Sequence, residues 1–198
     1  MSLSSEEKYD LILNQEKLFA YSLAKELIKK PETSVWMILL PFLFVYHMFN
    51  IQKYKNSIHD FALNFLTTKQ RALDLALEEL KTGQAADLTL ENCFPQMDSA
   101  NDKQVRVCEK QLKEIEVLHK HFLRLLKARG KTYESLVKSG YNRGGDYRLY
   151  LNNLTKAEND VNRYVLKIYQ TSDHARDITK KMEDIINRFR EQDLRKFF

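Results

Sequence analysis

A glutamate and a histidine with the spacing of metal ligands lie in the middle of the chain. Glu116 and His119 form Glu-x-x-His, which places both side chains on one face of a helix. In four-helix bundles, two copies of this pattern and two further glutamates hold a pair of iron ions. No glutamate precedes His59 or His174 by three residues, so the second copy is missing. We therefore expect a partly buried, hydrogen-bonded His119, and a bundle metalloprotein is the least favoured of three interpretations.

A second group of residues has the chemistry to bind anions. Lys and Arg number 32 against 27 Asp and Glu, a formal net charge of +5. An excess as large as that of the whole chain lies between residues 120 and 148, where only Glu134 and Asp146 oppose a cluster that we call the basic junction: Lys120, Arg124, Lys127, Arg129, Lys131, Lys138, Arg143 and Arg148. Beside an apolar anchor, each such cation contributes about 1 kcal/mol to binding anionic lipid headgroups. Nucleic acid is a less favoured partner, because no binding motif of defined geometry accompanies the cluster.

Other reactive patterns are incomplete. Cys93 and Cys108 are too few for a disulfide framework and lack the spacing of a zinc or redox pair, so we expect free thiols. The stretch "RGKTYES" ends like a phosphate-binding loop, but Leu125 stands where that loop requires its first glycine. We expect no catalytic residue and no cofactor.

The segment 32–53 differs from the rest of the chain. No Asp, Glu, Lys or Arg lies between Glu32 and Lys53, and a bilayer-crossing helix needs about 20 mainly apolar residues. His47 and Asn50 shorten the strongly apolar part to about 15 residues, a length also typical of core or interface-bound helices. The candidate membrane or interface residues are Val35, Trp36, Ile38, Leu39, Leu40, Pro41, Phe42, Phe44, Val45, Tyr46 and Phe49.

This segment could be shielded from water in two ways, by lipid or by a second subunit. A helix that is apolar all round must be fully buried, and a bundle of four helices has no fully central position for it. We favour attachment to the cytoplasmic face of a membrane, by spanning or by insertion. The alternative is a soluble cytoplasmic oligomer whose subunits meet through this segment and which binds an anionic partner at the basic junction.

Helical periodicity covers most of the remaining chain. Five glycines and three prolines allow few turns, so the elements should be few and long. Apolar residues in steps of three and four predict helices over residues 5–30, 54–82 and 100–129, a short helical turn at 132–137, and one helix from Tyr147 to Phe189. If it were unbroken, this last helix would be about 70 Å long. Because so much of its length would lack a partner, we expect a homo-oligomer.

These patterns predict an all-α fold, an antiparallel helical bundle or coiled coil with long helices. Its parts would be an N-terminal amphipathic helix (1–31), the hydrophobic segment (32–53) and a helical bundle or coiled-coil domain (54–198). Helices joined by short connections usually pack antiparallel, which would bring the basic junction back to the end where the hydrophobic segment begins. The function expected from this arrangement is that of a membrane-associated, non-catalytic interaction or scaffolding protein with a lipid-facing basic junction.

Overall fold

The structure, a computed structural model, describes residues 3–28, 57–169 and 173–198. These residues form seven helices and no strands and are 84% helical, which confirms the all-α class. The hydrophobic segment 32–53, with its candidate membrane or interface residues, lies outside the described residues.

The helices begin and end at local signals in the sequence. Their bounds are α1 Ser5–Leu27, α2 Ser57–Thr82, α3 Leu90–Cys93, α4 Asp102–Lys127, α5 Tyr133–Tyr141, α6 Gly144–Ile168 and α7 Asp173–Phe197. The Ser4 hydroxyl accepts a hydrogen bond from the Glu7 backbone N–H, and the Glu7 carboxylate accepts one from the Ser4 N–H, so that two otherwise unpaired donors are satisfied at the start of α1. Gly83 follows α2 with a φ of 71°, a left-handed conformation that glycine adopts without strain.

Five long helices pack in a ring. Around the ring α1 contacts α2, α2 contacts α4, α4 contacts α6, α6 contacts α7, and α7 returns to α1. The N-terminal helix predicted at 1–31 is therefore one wall of the bundle. Its interior is apolar over most of its length, with Ile115, Leu118 and Phe122 of α4 almost completely buried.

Contacts along α1 fix its direction relative to α2. Near the start of α1, Glu6 pairs with Lys81 in the last turn of α2 at 2.9 Å. Near its end, the Tyr21 hydroxyl lies 2.6 Å from Nδ1 of His59, close to the start of α2. The two helices are therefore antiparallel, and α1 ends beside the point where α2 begins.

Helices α2 and α4 run parallel, and the expectation of an antiparallel pair is wrong. The Lys8 ammonium donates to the carbonyl oxygen of Leu126 at 2.9 Å, so that α4, like α2, ends beside the start of α1. The connection 83–101 makes this possible because it runs back along the bundle. Within it, the Asn92 side chain accepts a hydrogen bond of 2.9 Å from Arg71, in the middle of α2.

The bundle therefore has two chemically different ends. We call the end with the start of α1 and the ends of α2 and α4 the junction end, because the basic junction follows α4. The distal end is where α1 stops at Leu27 and α2 begins at Ser57. The 23 residues of α1 separate the two ends by about 35 Å. The basic junction is thus not beside the end of α1 and the start of α2, contrary to the sequence-based expectation.

The helix predicted from Tyr147 to Phe189 is two helices that fold back on each other. The Arg190 guanidinium of α7 donates to both carboxylate oxygens of Glu158 in α6, at 2.7 and 2.6 Å. Apolar periodicity continues through both helices because each buries its stripe in the same bundle. The prediction of an unbroken helix is wrong, and the pairing of α6 with α7 removes the unpartnered length from which an oligomer was inferred.

The hairpin of α6 and α7 can be tested with a double-mutant cycle. We expect Arg190→Met to destabilise the fold by about 3 kcal/mol, because Glu158 would be left as an unpaired, largely buried charge. The coupling energy between Arg190→Met and Glu158→Gln should be about 2 kcal/mol in urea unfolding.

The matched control is Arg163 and Asp160, an exposed pair within α6, whose coupling should stay below about 0.5 kcal/mol. In an unbroken helix, residues 158 and 190 would lie about 48 Å apart and could not couple. A coupling energy near zero for Arg190 and Glu158 would therefore contradict the hairpin.

Candidate functional site: a charged cavity in the bundle core

Two ion pairs lie inside the ring. The Lys69 ammonium is 2.6 Å from the Glu16 carboxylate, with side chains 6% and 10% exposed. Arg190 and Glu158 are 7% and 14% exposed. Each pair joins two helices, α1 with α2 and α6 with α7. Charged side chains that are this deeply buried are tolerated only when they have an opposite charge and good hydrogen bonds. These pairs therefore constrain the register and direction in which the helices pack.

Aromatic rings complete the surroundings of Lys69. Its ammonium lies 5.1 Å from the ring centroid of Phe19 and 5.2 Å from that of Phe65. Both distances are within the range at which a ring face attracts a cation. Lys69 is thus held by a carboxylate on α1 and by aromatic rings on α1 and α2.

A cavity of about 60 Å³ adjoins these pairs between α2, α4, α6 and α7. At roughly 10–15 Å³ for each water, it has room for about four to six water molecules or one small ligand. Its lining is largely polar and includes Lys69, Gln111, Glu114, Glu158, Asn162, Glu183 and Arg190. A polar cavity of this size amid buried charges is the candidate functional site.

Glu114 differs from the other acidic side chains of the lining. Glu158 binds Arg190, and Glu183 accepts a hydrogen bond of 2.9 Å from Asn162. Among the described residues, no hydrogen bond or ion pair engages the Glu114 carboxylate. Burial, reinforced by the negative charge of Glu158, raises the pKa of Glu114 to about 8, against the opposing effect of Lys69 and Arg190. The surroundings of Glu114 therefore favour the protonated form of its carboxyl group.

A histidine and several tyrosines form a second polar cluster at the junction end. Nδ1 of His121 lies 2.6 Å from the Tyr141 hydroxyl, and its ring stacks on Tyr150 with centroids 4.0 Å apart. Burial lowers the pKa of His121 well below its usual value, and the positive charges of Lys69 and Arg124 lower it further. His121 is therefore a neutral, packed side chain of the core.

The metal candidates Glu116 and His119 do not form a common site. Nε2 of His119 is 3.2 Å from a carboxylate oxygen of Glu79 on α2, and His119 is buried, as the sequence suggested. Burial lowers the pKa of His119, although the carboxylate of Glu79 opposes this shift. Within the described ranges, no group of three or more His, Cys, Asp and Glu side chains is arranged to hold a metal ion.

The basic junction is a dispersed, exposed surface. All eight of its side chains are solvent-exposed around the end of α4, around α5 and at the start of α6. Arg124 lies 4.6 Å above the ring of Tyr141, and Lys138 pairs with Glu134 at 2.8 Å. The fold thus brings the predicted cations to one end of the bundle.

Both cysteines are buried free thiols, as expected. Burial raises the pKa of the Cys108 thiol to about 12, so it remains protonated at neutral pH. A protonated thiol is a poor nucleophile and a poor metal ligand, and Cys108 therefore packs as a small apolar side chain.

The residues of the two buried ion pairs were not singled out in the sequence, although the sequence contains a signal for three of them. Glu16 follows Ile12 by four residues, Lys69 follows Phe65 by four, and Arg190 lies one residue after Phe189. Each is a charged side chain on or next to the apolar stripe of its helix. Charges in such positions on several helices indicate pairing inside a bundle rather than a purely apolar core.

Similarity to known proteins does not assign a function. No protein-family model matches the chain, and comparisons with curated proteins and with solved structures give no significant match. In the part of the chain that the structure describes, no helix combines the length and apolarity needed to cross a bilayer. The proposals below therefore rest on the geometry and on the sequence.

The raised pKa of Glu114 leads to a pH-dependent stability. From the usual pKa of 4.5 up to about 8, the unfolded chain releases this proton while the folded chain retains it. The folded state therefore loses stability as pH rises through this range. We expect the free energy of unfolding of the wild type to fall relative to that of Glu114→Gln between pH 5 and pH 8, as measured by urea denaturation.

The comparison with Glu114→Gln removes the opposing contribution of buried histidines. The lowered pKa values of His119 and His121 make both chains less stable as pH falls below about 6.5. Because both chains contain these histidines, the difference between their free energies of unfolding reports only the effect of Glu114. Parallel pH profiles of the two chains would contradict the raised pKa.

Proposed function

We propose that this chain is a non-catalytic helical protein that attaches to one face of a membrane through its uncharged segment and presents a basic surface at the opposite end. The observation that carries the proposal is the side-by-side position of the end of α1 and the start of α2. The Tyr21 and His59 side chains, which meet at 2.6 Å, lie near these two points. The described residues on either side of 29–56 therefore lie at the same end of the bundle.

This position limits how the segment can meet a bilayer. A single crossing would put the flanks of the segment on opposite sides of a hydrocarbon layer about 30 Å thick, whereas α1 and α2 pack in one body. Two crossings would require about 40 apolar residues, and only roughly 28 residues are available. Of the two modes of attachment expected from the sequence, insertion from one side therefore fits better than spanning.

The lysines that flank the segment support the same orientation. Lys29 and Lys30 precede it, and Lys53 and Lys55 follow it. For a single crossing, these two groups would favour opposite orientations. When both flanks lie on the same side of the membrane, their lysines favour the same orientation. The bias of basic residues toward the cytoplasm then favours the cytoplasmic face.

The basic junction would then point away from the membrane. It lies about 35 Å from the distal end, several times the Debye length of about 8 Å at physiological salt. The exposed cations of the junction are therefore better suited to an acidic partner than to the headgroups next to the segment. A protein anchored at one end with a charged surface at the other has the geometry of a scaffold.

Vesicle flotation tests the attachment. We expect the wild type to float with vesicles of phosphatidylcholine and phosphatidylserine, and Leu39→Asp with Phe42→Asp to bind at least about tenfold more weakly, because carboxylates are costly at membrane depth. The matched control is Leu149→Asp on α6, where the leucine is already 60% exposed, and it should float like the wild type.

The same assay separates the alternatives. Charge reversal at the junction with Lys127→Glu, Arg129→Glu and Lys131→Glu should leave binding to the vesicles of phosphatidylcholine and phosphatidylserine unchanged, and a loss would mean that the junction contacts the anionic headgroups. A wild type that remains unbound and forms a defined oligomer, dissociated by Leu39→Asp with Phe42→Asp, would replace membrane attachment by the subunit-interface function.

A further inference from the structure

Two exposed leucines lie side by side on the outside of the bundle. Leu18 of α1 is 64% exposed and Leu63 of α2 is 47% exposed. Leu18 precedes Tyr21 by three residues and Leu63 follows His59 by four, so each leucine lies one helical turn from the contact between Tyr21 and His59. Because α1 and α2 are antiparallel, both steps lead in the same direction along the bundle, and the two leucines are neighbours.

The pair of leucines belongs to the distal part of the bundle. Counted along their helices, Leu18 lies about 14 Å from the end of α1 and Leu63 about 9 Å from the start of α2. The half-buried side chains of Tyr21, Ile28 and Ile58 continue the apolar surface toward the distal end. Single exposed leucines are common on protein surfaces, whereas a joined apolar patch indicates a contact surface.

The exposed residues around this patch carry no negative charge. Those between residues 14 and 25 of α1 and between 58 and 70 of α2, which together we call the leucine face, are Asn14, Lys17, Leu18, Ser22, Lys25, His59, Leu63 and Gln70. Lys25 follows Leu18 by seven residues, which places it on the same side of α1. The leucine face is therefore apolar at its centre and cationic at its edge.

The other half of the same two helices has the opposite charge. Toward the junction end, the exposed charged residues are Glu6, Glu7 and Asp10 on α1 and Glu78 and Lys81 on α2. Four carboxylates there oppose one ammonium group. An anionic surface would therefore attract the distal half of this side of the bundle and repel the half near the junction.

A second copy of the chain is a poorer partner for the leucine face than lipid is. In a two-fold contact the same patch meets itself, so the lysines of one copy would face those of the other. Like charges that face each other disfavour such a contact. A membrane instead offers anionic headgroups to the lysines and, a few ångströms deeper, acyl chains to the leucines.

We propose that the leucine face is a second membrane-contact surface, on which Leu18 and Leu63 enter the boundary between headgroups and acyl chains while Lys17 and Lys25 bind anionic phospholipid headgroups. This inference rests on the proposed attachment of the distal end. Because the leucines lie about 9 to 14 Å from that end, the bundle must lean toward α1 and α2 to bring them to the bilayer.

A fluorescent label on the leucine face tests the contact directly. In the full chain with Cys93 and Cys108 replaced by serine, an NBD group attached to Leu63→Cys should shift its emission to the blue when vesicles of phosphatidylcholine and phosphatidylserine are added. Nitroxide-labelled lipids should then quench it. The matched control is the same label on Leu149→Cys, since Leu149 is 60% exposed near the junction end, and its emission should not change.

Flotation measures what the leucines and the lysines contribute. Leu18→Asp with Leu63→Asp should bind these vesicles at least about fivefold more weakly than the wild type, whereas the control Leu149→Asp should bind equally well. Lys17→Gln with Lys25→Gln should show a similar loss on these vesicles and none on pure phosphatidylcholine, because only the anionic headgroups attract the ammonium groups. Circular dichroism establishes that each variant is folded.

Failure of this inference can be told apart from failure of the attachment. If the wild type floats but the label at position 63 stays in water, or either double variant floats like the wild type, the leucine face does not contact lipid and the attachment still stands. A wild type that does not float would overturn both. Emission that is already blue-shifted without vesicles, in a chain that sediments as a dimer, would show that a second copy covers the face.

Discussion

Charged side chains in the centre of the ring must find opposite charges on other helices, and this requirement constrains the whole bundle. Glu16 meets Lys69 only if α1 and α2 are antiparallel in the observed register, and Glu158 meets Arg190 only if α7 folds back along α6. Each of these groups would be costly to bury without its partner. The ion pairs therefore disfavour other registers in which the same apolar stripes could pack. α4 contributes to this centre the acidic side chain of Glu114, whose pKa is raised by burial and by the negative charge of Glu158.

The direction of α4 makes the two ends of the bundle chemically different. Because residues 83–101 run back along α2 before α4 begins, the cations after α4 lie beside the start of α1, while α1 ends and α2 begins at the other end. The proposed attachment and the proposed recognition would then take place at opposite ends of the bundle. The cavity lies between the two ends, among helices that run from one end of the bundle toward the other.

The helices could be predicted from the sequence, but their arrangement could not. α1, α2 and α4 lie within a few residues of the predicted ranges because apolar spacing and caps are local signals. The division near residue 170 has no glycine or proline, and the stripe continues on both sides, so periodicity alone could not reveal it. The paired charges of the core are 53 and 32 residues apart in sequence, and no local pattern assigns such partners. The direction of α4 likewise depends on the path of a connection that contains only the short α3.

The separation of the two ends is the central claim, and pairs of spin labels measure it most directly. In a chain with Cys93 and Cys108 replaced by serine, labels at Lys25 and Arg129 should be roughly 20 Å farther apart than labels at Lys81 and Arg129, as the rise along α1 requires. Lys25 is at the distal end, and the other two positions are at the junction end. If the Lys25 to Arg129 distance were the shorter one, α2 and α4 would be antiparallel and the basic junction would lie beside the hydrophobic segment after all.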